Sequence, residues 1–189
     1  MKSIDFYYDY GSPTAYLAWT QLKDLDKESY KVKYCPVLLG GIFKATENKA
    51  PGLVIPKAKW MMEDIKMHAE KYDVKFVMND AFPVNTLYLM RGAIFAQENN
   101  MLEKYNEAMF NAMWASNTNL SDPKNIISTL ENYDFNSKDF LEAAERQDIK
   151  DELKNSTAKA VELGLFGVPS FIVDGRLFFG QDRMSWFLN

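Results

Sequence analysis

The spacing of apolar and polar residues changes twice along the chain, from strand-like to helical and back. Residues 3–8, with Ile4-Asp5-Phe6-Tyr7-Tyr8, predict a first strand. Ala15, Tyr16, Trp19, Leu22 and Leu25 then recur at helical spacing and predict an amphipathic helix to about Asp26. Tyr30-Lys31-Val32-Lys33-Tyr34 alternates with period two and predicts a second strand, closed by Pro36 and Gly40-Gly41. From Lys57 to Gly164 the periodicity is helical. Lys57–Tyr72 carries Trp60, Met61, Ile65 and His68 along one side, and Asn85–Gln97 and Glu103–Trp114 follow. Ser121-Asp122-Pro123 opens another helix with a cap and a proline, and Ser137-Lys138-Asp139 does the same before Phe140–Arg146. Asp151–Leu163 closes at Gly164, a fitting residue just past a helix end. Strands return with Ser170–Val173 and Arg176–Phe179, joined by Asp174-Gly175 as a two-residue hairpin turn. A last helical stretch runs to Asn189.

A strand, a crossover helix and a second strand imply a parallel pair joined right-handed. The whole layout is β-α-β, a helical insertion, then β-β-α. That is an α/β fold of thioredoxin-like topology with a large all-helical insertion. The expected division is a discontinuous thioredoxin-like domain, residues 1–50 and 165–189, around an insertion domain of residues 51–164. The methionines and aromatics of the insertion are read mainly as core, with some lining a cleft between the two parts.

Composition narrows the chemistry. The 189 residues carry a net charge of −4 and no basic run, which argues against a binder driven by phosphate contacts. No apolar stretch approaches a membrane span, and the start lacks the pattern of a secretory signal. A single cysteine, Cys35, forbids an intrachain disulfide and two-thiol exchange, so a reducing cytoplasm is expected. The single histidine, His68, excludes a multi-histidine metal site, and no metal is expected. Cys35 reads as a small buried strand residue and His68 as a solvated helix residue.

Two short stretches hold the candidate chemistry. In Asp9-Tyr10-Gly11-Ser12-Pro13, glycine permits a tight turn, Ser12 suits a helix N-cap and Pro13 the first helical position. A hydroxyl there lies among unpaired N–H groups at the positive end of a helix dipole, where an anion such as a thiolate is stabilised. Ser12 is thus read either as a cap alone or as part of an anion site. Gly167-Val168-Pro169-Ser170 places a proline inside a strand-like run, at an edge, a bulge or a cis bond.

Several blocks, in order along the chain, resemble the 2-hydroxychromene-2-carboxylate isomerases and the kappa-class glutathione transferases. They are Phe6–Ala18 with its Ser12-Pro13 step, Asn48-Lys49-Ala50-Pro51-Gly52 through Lys57, and Phe82–Leu87 with Arg91. Gly167–Phe171 and Phe179-Gly180-Gln181-Asp182-Arg183 complete the set. The resemblance implies glutathione as cofactor and a small aromatic or electrophilic substrate. It also implies a possible homodimer, with no nucleic-acid or membrane partner. Ser12 would hydrogen-bond and activate the glutathione thiol, where a disulfide oxidoreductase carries its first cysteine. Val168, before a cis Pro169, would pair its backbone with the cysteinyl part, and Gln181 and Asp182 would hold the γ-glutamyl end. Asn48 and Lys57 would contact the peptide from the other side, and Asn85 and Arg91 would face the second substrate. Without the resemblance, Lys57 is a solvated charge, Asp182 a helix cap, Asn48 a loop former and Arg91 an ion-pair partner.

The implied activity is a glutathione-dependent cis–trans isomerisation of an aromatic 2-oxo acid, the thiolate adding to and leaving a conjugated carbon. A kappa-type transferase uses the same thiolate on an electrophile that keeps the glutathione. A non-catalytic thiol or peptide binder, and a disulfide oxidoreductase, complete the rival readings; Ser12 in a cysteine's place speaks against the last.

Overall fold

Strand β1 (Lys2–Tyr8) lies inside a four-stranded sheet of order β2-β1-β3-β4 in the computed structural model, which describes residues 1–188. It pairs parallel with β2 (Tyr30–Pro36), from Lys2 opposite Tyr30 to Tyr8 opposite Pro36, and antiparallel with β3 (Ser170–Val173). β4 (Arg176–Phe179) closes the hairpin, whose turn residues Asp174 and Gly175 both have positive φ, as a two-residue turn of this hand requires. Alternation along β1 sends Ile4, Phe6 and Tyr8 to one face and Tyr7 to the other. The first set joins the main core with α1 (Pro13–Leu22). Tyr7 packs with Cys35, Val37, Ile42 and Ala160 under α2 (Leu39–Thr46) and α8 (Gln147–Glu162).

The helices between are α3 (Ile55–Lys71), α4 (Leu87–Glu98), α5 (Leu102–Trp114), α6 (Pro123–Asn132) and α7 (Ser137–Glu145). The main core runs without a break from the sheet into them. Tyr10 packs edge-on against Phe110 and Tyr105, and Phe110 stacks on Trp19 of α1. The hydroxyls of Tyr8 and Tyr10 both donate to Asn106 Oδ1 of α5, at 2.7 and 2.6 Å. Trp114 Nε1–H donates to the Tyr10 carbonyl at 2.8 Å.

The structure departs from the sequence reading at several points. α1 ends at Leu22, short of Asp26. Gly40-Gly41, read as a break, lie inside α2, which the sequence reading lacks. Each helical glycine costs about 1 kcal/mol, so α2 depends on tertiary contacts. Leu38 N–H donates to Thr157 Oγ1 and Leu39 N–H to Asp9 Oδ2. The cap before α7 is Asn136, whose side chain accepts from Lys138 N–H, rather than Ser137. α8 starts at Gln147, earlier than Asp151; Ser156 Oγ–H donates to the Pro36 carbonyl, so a helix counted with the insertion is bonded to the sheet. Trp60 is 64% exposed, although Ile65, expected on the same side, is buried. His68 is half-buried rather than solvated, its Nδ1 2.9 Å from the Asp64 carbonyl. The last helical stretch is a 3-10 turn, Gln181–Trp186; Asn189, its expected end, lies outside the described residues.

Asp9 is the polar centre of this arrangement. It is 2% exposed and forms no ion pair among the described residues. Oδ1 accepts from Gly11 N–H at 2.9 Å and from Thr86 Oγ1–H at 2.7 Å, while Oδ2 accepts from Leu39 N–H at 2.8 Å. Burial pushes its carboxyl above the ordinary carboxylate value, and the three donors pull it back. Asp9→Ala leaves these donors facing a void and is expected to cost about 2–4 kcal/mol, read as a lower urea midpoint; Asp9→Asn, which keeps the shape, should cost less. Burial likewise pushes the Cys35 thiol up to about 12, from an ordinary 9.0. The raised value means the native thiol holds its proton while an unfolded one loses it. Stability is therefore expected to fall as pH rises from about 9 towards 12, and iodoacetamide at neutral pH should label Cys35 only in denaturant.

Candidate functional site

The chain leaves β1 at Tyr8 and turns sharply before α1. Ser12 N–H donates to the Asp9 carbonyl at 3.0 Å, which closes the turn, and the Asp9 carboxylate takes the next free N–H, on Gly11. Ser12 is extended, as an N-cap must be, and its Oγ accepts from Ala15 N–H at 3.1 Å. Ser12 is 5% exposed, at the head of a ten-residue helix with proline first. Its neighbours are Thr14 Oγ1 at 3.0 Å and the Val168 carbonyl at 3.4 Å, 156 residues away in sequence.

Val168 precedes a cis peptide bond to Pro169. It lies in the bend before β3, and its N–H has no hydrogen-bond partner among the described residues. The bend is braced from two sides. Asn48 Nδ2–H donates to the Phe166 carbonyl at 2.8 Å, and Gly180 N–H donates to the Pro169 carbonyl at 3.0 Å. Phe179 packs so close over Gly167 that an added Cβ would meet its ring at 3.0 Å. Gly180, with φ of +98°, leads into Gln181, which is buried, and Asp182, which is exposed and paired with Arg183 Nη1 at 2.7 Å.

These bonds bring together Ser12, Val168, Pro169 and Asn48, with Gln181 and Asp182 adjoining through Gly180. Three other candidates stand apart. Lys57 is exposed in the first turn of α3. Asn85 is exposed, and its Oδ1 accepts from Leu87 N–H at 3.1 Å; its neighbour Thr86 reaches Asp9. Arg91 bridges α4 and α7, with Nη1–H donating to the Ala144 carbonyl at 3.1 Å, its guanidinium against the Tyr88 ring and its buried Nε without a partner. Two cavities of about 660 and 790 Å3 open beside Trp19, and neither lining includes any of these candidates.

Sequence reasoning passed over Asp9, Thr14 and Thr86. Asp9 was visible as part of the block around Ser12, but its partners Leu39 and Thr86 lie 30 and 77 residues away. Thr14 was legible in principle, since a hydroxyl two residues past an N-cap falls beside it. The arrangement combines a helix-head hydroxyl, an unpaired N–H on the facing bend and a carboxylate at the next turn. It is suited to an elongated ligand bearing an anion or thiol, an amide and an ammonium. Glutathione has all three, and these residues fit it; the cation for its glycyl carboxylate is the part that no contact here ties to the site.

Comparison with known proteins agrees with the fold. The 2-hydroxychromene-2-carboxylate isomerase of Sphingobium xenophagum is 27% identical over 188 residues, spanning 98% of this chain and 95% of that protein. Glutathione S-transferase kappa 1 of Homo sapiens is 27% identical over 199 residues, spanning 97% of this chain and 88% of that protein. The solved structure of a 2-hydroxychromene-2-carboxylate isomerase superposes with a TM-score of 0.88 at 20% identity, covering 97% of this chain and 91% of its own. The family profile described as DSBA-like thioredoxin domain matches residues 3–189, and the chain belongs to that family.

Proposed function

We propose that this protein is a glutathione-dependent isomerase acting on an aromatic 2-oxo acid, in the manner of the 2-hydroxychromene-2-carboxylate isomerases. The observation that carries the reading is the buried Ser12 hydroxyl at the head of α1, facing the Val168 bend with its unpaired N–H. Bound there, glutathione supplies a thiolate able to add to and leave a conjugated carbon. Ser12 donates a hydrogen bond to the sulfur and, with the N–H groups of the first helical turn, holds the negative charge without becoming a nucleophile itself. Val168 offers backbone pairing for the cysteinyl residue, and Pro169 holds the bend. Gln181 and Asp182 take the γ-glutamyl end, Asp182 exchanging Arg183 for the ammonium. Asn48 and Lys57 take the glycyl side, and Asn85 and Arg91 the substrate carboxylate.

A kappa-type transferase is the second reading, favoured by the equal identity to the human transferase. The two share every role given to Ser12 and Val168 and separate only by product, a free isomer or a conjugate. A cytoplasmic location goes with either, supported by the single, buried thiol of Cys35. A homodimer is proposed with them, supported by the exposed apolar side chains of Leu53, Ile55 and Trp60.

Calorimetric titration with glutathione tests the site. Asp182→Ala is expected to weaken binding about tenfold, the worth of one charge-assisted contact. Ser12→Ala should bind nearly as well but raise the pKa of the bound thiol by about one to two units, followed by thiolate absorbance. It should also cost about 1 kcal/mol of stability as a lost cap. Absence of binding in the unaltered protein overturns the reading.

A further inference from the structure

Ser12 Oγ has one proton and two lone pairs, and three neighbours within reach. Ala15 N–H, at 3.1 Å, donates and fills one lone pair. The Val168 carbonyl, at 3.4 Å, can only accept, so this contact requires the Ser12 proton. The third neighbour, Thr14 Oγ1 at 3.0 Å, is closer than either. With one lone pair filled and the proton aimed across the cleft, the remaining lone pair is left for the Thr14 hydroxyl.

We propose that Thr14 is a positioning residue of the site: its hydroxyl donates to Ser12 Oγ and so directs the Ser12 proton away from the helix, onto a sulfur anion held against Val168. The inference deepens the thiol-activating reading of Ser12 and rests on it. Its logic is that of donor counting. If Ser12 turns its proton onto Thr14, it has none for the ligand, and the site loses its one hydroxyl donor to sulfur. With Thr14 donating, Ser12 receives two hydrogen bonds and gives one, and each bond received polarises its O–H further. Thr14 sits in the first turn of α1, half-buried, where its hydroxyl is not needed for any helical bond. No proton leaves either hydroxyl; the effect is on the direction and strength of one hydrogen bond.

The same donation is readable without any ligand. In the Ser12→Cys variant, the thiolate at that position accepts from Ala15 N–H and from Thr14. Its pKa follows from the pH dependence of iodoacetamide alkylation, Cys35 being buried and protonated. Adding Thr14→Val is expected to raise that pKa by about half a unit to one unit, a three- to tenfold loss of thiolate, whereas Thr14→Ser should leave it in place. In the protein with Ser12 intact, Thr14→Val should raise the pKa of bound glutathione by about half a unit. On top of Ser12→Ala it should add nothing, because Thr14 acts through Ser12. Unchanged alkylation in Ser12→Cys with Thr14→Val, or a Thr14→Ser variant that behaves like Thr14→Val, overturns the proposal. If the Ser12→Cys thiol responds to Thr14 while the unaltered protein fails to bind glutathione, the hydroxyl pair stands and the glutathione reading falls.

Discussion

One buried carboxylate, that of Asp9, holds three separate parts of the chain at the candidate site. Its oxygens take N–H and O–H donors from the turn before α1, from the first residue of α2 and from Thr86 at the head of α4. Among the described residues no side-chain cation pairs with it, so its burial is tolerable only because donors, two of them backbone amides, are fixed around it. A carboxyl held this way is a geometric constraint. Moving any of the three segments by an ångström leaves a buried oxygen short of a donor, which costs its desolvation. Ser12, three residues on, inherits its place from this arrangement.

The helices between β2 and β3 reach the same few residues. Tyr8 and Tyr10 flank Asp9, and both hydroxyls end on one amide oxygen of α5, with Tyr10 N–H directed at Met90 sulfur and its carbonyl taking Trp114. The turn that carries Ser12 is therefore clamped on one side by the sheet and on the other by α4 and α5. The insertion holds the turn, and with it the direction of the Ser12 hydroxyl.

What could be read in the sequence follows from the range of the interactions. β1, α1 and the β3–β4 hairpin were legible because period-two alternation, an N-cap with proline, and Asp174-Gly175 are local signals. α2 was not, because its own residues include Gly40-Gly41, and contacts to Thr157 and Asp9 hold its start. The same holds for Trp60: helical spacing finds a stripe but does not say which end of it meets a neighbour. Ser12 was marked by local chemistry, since a cap at a helix head is visible in any sequence. That Val168 faces it at 3.4 Å, across 156 residues, follows from sheet order, which no local signal supplies and which had to come from the layout of the whole chain. Arg91 Nη1–H donates to the Ala144 carbonyl, a contact 53 residues away that no local pattern marks.

The position of the one sulfhydryl decides what kind of chemistry the site can perform by itself. A helix head in this fold is a place where a thiolate is favoured, and a cysteine there is a strong nucleophile. This chain puts a hydroxyl in that place and its only cysteine on β2, under α2 and α8, where burial keeps the thiol protonated through the physiological range. Hydroxyl oxygen at the helix head can donate to an anion and cap the helix, but it does not ionise near neutral pH, and its hydrogen-bond neighbours are Thr14, Val168 and Ala15, none of them a base. A site with the electrostatics of a thiolate and no thiol is suited to hosting sulfur that arrives with a ligand. On the proposed glutathione reading, the ligand thiol's pKa, rather than any residue's own reactivity, is the quantity this arrangement would control.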